Sequence, residues 1–245
     1  MKRFFAQLSF NGKNYHGWQM QENAHSVQAE INEKLSLLLG EPINVVGCGR
    51  TDTGVHAKEY FAHFEIENLL IEPEELAGKL NNFLPQDIAI HRIFEVKPDM
   101  HARFSATSRT YRYYISKKKN PFLQGLSYFY HVPLNVSEMK KASSFLLDYT
   151  DFTSFSKLHS QTNNNNCKIS FAAWEETGEM LIFTITADRF LRNMVRAIVG
   201  TLLEVGKGKM KASEIRNIIE LKNRSEAGFS VPAEGLFLEK VEFPY

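Results

Sequence analysis

Apolar and polar residues alternate along this chain with two periods, and the switches between them outline its elements. Lys2–Phe10 is rich in Phe and Leu and reads as a strand, which Asn11-Gly12 turns. From Ser26 to Leu39 the residues Val27, Ile31, Leu35, Leu38 and Leu39 fall at helical spacing, with Ser26 as N-cap and Gly40 and Pro42 as terminators. Ile43–Gly47 is a short β-rich run leading into a polar loop, and Tyr60–Ile66 predicts a strand. Pro73–Leu84 predicts a helix with proline at its start and Glu74 and Glu75 in its first turn. Ile88–Val96 returns to β character.

After Pro98-Asp99-Met100 the composition turns basic and aromatic, which predicts a joint there and two halves, 1–100 and 101–245. In the second half Thr110–Ser116 reads as a strand and Ser137–Leu147 as a helix capped by Ser137. Phe171–Trp174 and Met180–Ala187 bracket Thr177-Gly178, a hairpin signal. Phe190–Leu203, closed by Gly206, predicts the clearest helix, and Lys211–Leu221 another; Asn163–Asn166 reads as an exposed loop. On the helix from Phe190, the residues Arg189, Arg192, Asn193 and Arg196 form a polar stripe opposite Leu191, Met194, Val195, Ile198 and Leu202. Each half thus combines strands with a crossing helix, as RRM-like or ferredoxin-like units do, and the fold class is α+β. No residue-level repeat accompanies that duplication.

Composition narrows the class. The 245 residues are 43% apolar, enough for a substantial core without staples. No apolar run approaches the roughly 20 residues that span a bilayer. The start, Met1-Lys2-Arg3-Phe4-Phe5, lacks the continuous apolar stretch of a signal peptide. Two lone cysteines, Cys48 and Cys167, fit neither a disulfide scaffold nor a Cys-rich zinc module. His56, His63, His91 and His101 show no metal-ligand spacing. These features predict a soluble, cytoplasmic protein with no metal, no cofactor site and no membrane partner.

Charge is balanced overall, with 29 basic and 28 acidic side chains, but not along the chain. Between Met100 and Ser137 there is no Asp or Glu, while Arg103, Arg109, Arg112, Lys117, Lys118 and Lys119 fall there. Arg189, Arg192, Arg196, Lys207, Lys209 and Lys211 form a second basic region. Two readings stand: a shared face that follows a phosphate backbone, or two solvated surfaces. Tyr111, Tyr113, Tyr114, Phe122, Tyr128, Phe129 and Tyr130 interleave with the first run, as stacking platforms do and as half-buried strand residues also do.

The chemistry concentrates in Gly47-Cys48-Gly49-Arg50-Thr51-Asp52-Thr53-Gly54-Val55-His56-Ala57, between two predicted strands. Its spacing fits neither a P-loop nor a dinucleotide fingerprint. What remains is a carboxylate two residues after an arginine. An ordinary Asp is ionised at neutral pH and needs no activating base to act as a nucleophile or modest base. The plain alternative is a turn-capping Asp52 paired with a surface Arg50. Cys48 with His56 suggests a thiol nucleophile, but nothing in the sequence places the two adjacent, and a buried structural thiol is the favoured reading.

The segment Gly49–Ala57 closely resembles the catalytic motif of the tRNA pseudouridine synthase A family. The resemblance runs over nearly the whole chain. It includes Tyr15-His16-Gly17-Trp18-Gln19, Asn81-Asn82-Phe83-Leu84-Pro85 and Phe104-Ser105-Ala106. It continues through Thr110-Tyr111-Arg112-Tyr113, Asp151-Phe152-Thr153-Ser154-Phe155, Phe190–Arg196 and Pro232-Ala233-Glu234-Gly235-Leu236. Ala233 departs from the family's more usual second proline.

The resemblance implies an isomerase that converts uridine to pseudouridine at positions 38, 39 and 40 of the anticodon arm of tRNA. It implies Asp52 as the catalytic carboxylate and nucleophile, with Arg196 as its pairing cation. Arg50 would extrude the nucleotide, Tyr111 would stack on the base and Leu236 would line the uracil pocket, while Arg192 would face RNA. It further implies two RRM-like halves whose sheets join into one extended mixed, mainly antiparallel sheet flanked by helices around a central basic cleft. The family works as a homodimer, one tRNA touching both subunits, without cofactor. Whether Asp52 attacks C1′ or takes the 2′ proton stays open, and a binding-only protein is the rival reading.

Overall fold

The computed structural model of the protein describes residues 1–157 and 164–244, so Asn163 of the expected Asn163–Asn166 loop lies outside the described residues. In chain order the elements are β1 (Lys2–Phe10), α1 (Val27–Leu39), β2 (Val46–Gly47), β3 (His56–Ile66), α2 (Pro73–Phe83) and β4 (Ile88–Val96). They continue with β5 (Ser108–Ser116), β6 (Tyr128–Phe129), α3 (Val136–Ser144), β7 (Ile169–Thr177), β8 (Met180–Ala187), α4 (Met194–Gly206), α5 (Glu214–Glu220) and β9 (Leu236–Glu242). The class is α+β with mostly antiparallel strand pairing. The chain forms two compact units, Met1–Thr107 joined by the C-terminal stretch from Leu238, and Ser108–Phe237. Pro98-Asp99 form an exposed turn within the first.

In the first unit β1 is the central strand of an antiparallel trio, with Phe5 opposite His63 of β3 and Phe94 of β4. Inward side chains of these strands and of α1 and α2, among them Phe5, Leu8, Ile31, Leu35 and Leu76, are almost fully buried. Helix α1 has the ends its sequence signals. Ser26 Oγ accepts from the Ala29 N–H at 3.3 Å, and Gly40 closes the helix at φ +72°. The backbone amides of Val27 and Gln28 donate to the carbonyls of Gly17 and Trp18 at 3.3 and 3.0 Å. The helix's first amides, which have no partners within it, are thereby satisfied by the segment that precedes it.

In the second unit β5 pairs antiparallel with β8, Tyr111 opposite Ile185 and Tyr113 opposite Phe183, and β7 and β8 form the expected hairpin. The short β6 adds to β5 in parallel. Asn135, rather than the expected Ser137, caps α3, accepting from the Glu138 N–H at 3.1 Å. The largest departure concerns α4, which starts at Met194 and not at Phe190. Asn193 stands in the left-handed region at φ +66° and cannot continue a right-handed helix backward. Of the expected polar stripe only Arg196 therefore lies on the helix. Apart from Arg196 and Glu204, every residue of α4 is buried, so it is a core helix rather than an amphipathic one.

Candidate active site

The loop from Cys48 to Val55 joins β2 to β3, and the first unit holds it at several points. Val46 and Gly47 pair with His63 and Ala62, and the Cys48 amide donates to the Phe61 carbonyl at 2.8 Å. Further along, Asp52 begins a tight turn. Its carbonyl accepts the Val55 amide at 3.1 Å, and Gly54 at φ +79° supplies the positive φ that a type II turn requires at that place. Asp52 is half-buried and Arg50 exposed, so the loop carries a partly sheltered carboxylate beside an outward guanidinium. Cys48 and His56 are both buried, and the imidazole Nδ1 of His56 accepts the Gly12 amide at 3.1 Å.

The segment Tyr15–Gln19 braces this turn from outside. The Gly54 amide donates to the Tyr15 carbonyl at 3.3 Å. Gly17 has φ +84°, and a Cβ placed there would lie 2.2 Å from the Thr51 carbonyl oxygen. Only glycine permits that approach. Trp18 lies 4.2 Å from the Tyr60 ring, centroid to centroid, and both are buried. Tyr15 itself donates to Asp87 at 2.5 Å; burial and that carboxylate push its phenol pKa well above the usual range. Gln28, buried on α1, ties the same segment to Val45, donating to that carbonyl at 2.8 Å while accepting from the Met20 amide and the Gln19 side chain.

The other expected site residues belong to the second unit. Tyr111 is half-buried on β5, its ring edge-on to Phe190 with centroids 5.1 Å apart. Arg196, in the first turn of α4, donates from Nε to the Val231 carbonyl at 2.8 Å. Arg192 is exposed in the turn before α4, where its carbonyl accepts the Lys157 amide at 3.1 Å. Leu236, 6% exposed, opens β9 directly after the Pro232–Gly235 segment, which the Tyr113 hydroxyl holds by donating to the Pro232 carbonyl at 2.8 Å.

Two features escaped the reading of the sequence. The Tyr60 hydroxyl donates to the Gly49 carbonyl inside the loop, and the Val231 carbonyl is a partner of Arg196. Neither has a local signal, since the partners are 11 and 35 residues apart. The basic runs are also less bare in space than along the chain. Lys117 and Lys118 pair with Glu176 and Glu179 at 3.0 and 2.5 Å, and Lys207 and Lys209 both pair with Glu204. Among the described residues no group of three or more His, Cys, Asp or Glu could hold a metal ion, and no helix is long and apolar enough to cross a membrane.

Comparison with known proteins places the chain in a family. Residues 6–105 and 149–244 match the tRNA pseudouridine synthase family. A protein of Parabacteroides distasonis named tRNA pseudouridine synthase A is 52% identical over 244 residues, covering 100% of this chain and 97% of its own. The Bacteroides fragilis protein of the same name is 50% identical, with the same coverage. That of Clostridium acetobutylicum is 42% identical over 99% of this chain and 100% of its own. Similarity of this extent, spanning the Asp52 loop and both compact units, makes the chain a member of the tRNA pseudouridine synthase family.

Proposed function

We propose that this protein isomerises uridine to pseudouridine at positions 38, 39 and 40 in the anticodon arm of tRNA, with Asp52 as the reacting carboxylate. The reaction breaks the C1′–N1 bond and forms a C1′–C5 bond on the same base. The proton lost from C5 is balanced by one gained at N1, so no redox partner or group donor is consumed. A base stacked in a helix cannot present both C1′ and C5 to one carboxylate, so the target nucleotide leaves the stack. Arg50, exposed on the same loop, is suited to hold the extruded nucleotide's phosphate or the space it vacates. In the second unit Tyr111 offers a half-buried aromatic face for the uracil, Leu236 an apolar wall and Arg196 a cation, while exposed Arg192 meets the RNA backbone. The protein works in the cytoplasm as a homodimer that binds one tRNA across both subunits.

The observation that carries this reading is the braced turn at Asp52. Fixed backbone on both sides holds the main chain of half-buried Asp52 in one place, which suits covalent or base chemistry more than mere RNA binding. The binding-only alternative draws on the basic runs, and the ion pairs of Lys117, Lys118, Lys207 and Lys209 weaken that support. The test is carbodiimide mapping of an unmodified tRNA transcript after incubation with the purified protein. Pseudouridine at positions 38 to 40 is the expected result. Bound but unmodified tRNA would favour the binding-only reading.

A further inference from the structure

We propose that Tyr60 is a positioning residue for the Arg50–Asp52 loop, acting through the carbonyl of Gly49. The inference rests on Asp52 being the reacting carboxylate and names a device that holds it. Tyr60 sits on β3 with no exposed surface, so it does not touch substrate. Its ring is clamped on two sides, stacked on Trp18 at 4.2 Å with 28° between planes and edge-on to Phe10 at 5.5 Å. An aromatic ring held this way has one polar handle left, the hydroxyl, and a buried hydroxyl needs a partner. That partner is the Gly49 carbonyl, the residue before Arg50 and three before Asp52.

The neighbouring geometry leaves no slack for this contact. A Cβ at Gly47 would lie 2.2 Å from the Tyr60 hydroxyl and 2.5 Å from the Trp18 indole, so glycine at 47 lets the two rings reach the loop. Trp18 follows Gly17, whose missing side chain admits the Thr51 carbonyl from the other face. The loop is thus gripped on its incoming limb by the Tyr60 hydroxyl and near its tip by the backbone at Gly17. The Tyr60 hydroxyl extends to Gly49 the backbone bonds that tie the strand to Gly47 and Cys48, and its loss should free the Gly49 carbonyl to rotate toward water. A displacement of the reacting group by about 1 Å can lower turnover by about 100-fold without altering remote binding contacts.

Tyr60→Phe isolates the hydroxyl, because the ring and its stacking are kept. With unmodified tRNA transcript, the single-turnover rate at saturation should fall about 10- to 100-fold. The Kd for the same transcript should stay within about twofold, since the phosphate-facing surface is untouched. Gly47→Ala, which crowds the same hydroxyl from the other side, should reproduce the rate loss with Tyr60 still present. Circular dichroism and melting curves establish that each variant is folded. A Tyr60→Phe protein with the rate of the unaltered protein overturns the proposal, as does one whose loss is entirely in Kd. Asp52→Asn, run alongside, separates the two readings. If Asp52→Asn retains turnover, the reading of the active site fails. If Asp52→Asn is inactive while Tyr60→Phe is unimpaired, only the positioning role fails.

Discussion

Arg196 and Val231 are joined twice: the arginine Nε donates to the valine carbonyl at 2.8 Å, and the valine amide donates back to the arginine carbonyl at 3.3 Å. This pair fastens the first turn of α4 to the strand of chain that leads into the Pro232–Leu236 motif. Asn193 adds a 2.6 Å bond to the Ser230 hydroxyl at the same place. The guanidinium that the proposed chemistry uses is therefore oriented by backbone, next to the start of the Pro232–Leu236 motif.

That geometry separates charge from shape at position 196. Arg196→Lys keeps the charge but has no planar Nε–H aimed at Val231. Stability should fall by about 1.5–3 kcal/mol, the range for hydrogen bonds made by charged groups. Urea unfolding of the two proteins measures this. Equal midpoints would show that the Val231 bond contributes nothing.

Gly17→Ala should damage the loop from outside. The backbone region alone costs about 1–2 kcal/mol for a residue with a Cβ, and that Cβ would press on the Thr51 carbonyl at 2.2 Å. We expect a lower melting temperature and a larger fractional loss of turnover than of tRNA affinity. Full turnover in this variant would mean that the brace is unimportant for Asp52.

Arg50 is exposed, so Arg50→Ala should alter stability by less than about 0.5 kcal/mol. Turnover should drop, and Arg50→Lys should restore little, because an ammonium lacks the planar, bidentate surface of guanidinium. Calorimetry and single-turnover assays on both variants make the check. Destabilisation comparable to that of Arg196→Lys would reverse the roles given to the two arginines.

The first unit should be acid-sensitive through His63. Its imidazole is buried, accepts the Ala102 amide at 3.2 Å through Nδ1, and lies 4.5 Å from the His101 ring. Burial, with His101 and Arg3 nearby, lowers the His63 pKa to about 4; burial also lowers that of His101. The unfolded chain then binds protons that the folded one refuses. Stability is fully present above pH 6.5 and is lost as pH falls toward 4, by at most about 1.4 kcal/mol per pH unit for each histidine. His63→Gln, whose side-chain oxygen can still accept from Ala102, should give a flatter melting temperature between pH 6.5 and 4. An unchanged slope would remove His63 from the account.

Much of the fold was legible where local chemistry is decisive. The strands Lys2–Phe10 and Ile88–Val96 occupy the predicted spans, and Ser26 and Gly40 bound α1 as a hydroxyl cap and a left-handed glycine should. The reading failed where a single backbone conformation or a distant contact decides. Nothing in the apolar spacing of 190–203 reveals that Asn193 turns left-handed and delays α4 to Met194. Strand β3 begins at His56 rather than Tyr60, because Ala57 pairs with Phe10 across a register irregularity in β1. In the sequence, strand β9 shows only through Leu236, the last residue of the Pro232–Leu236 motif. In the site, the Asp52 loop stood out by composition, but its supports did not. Gly17 meets Thr51, and Tyr60 meets Gly49, through the folding of separate segments.

Asp52→Asn tests the central claim most directly. The amide is nearly the same size as the carboxylate but lacks the negative charge that nucleophilic or base chemistry requires. Single-turnover assays with unmodified tRNA should show no pseudouridine at positions 38 to 40. The Kd for the same tRNA should be unchanged or slightly lower, because an anion has been removed from beside phosphate. Turnover within about tenfold of the unaltered protein, a difference of about 1.4 kcal/mol in barrier, would contradict the assignment of Asp52 to the chemical step.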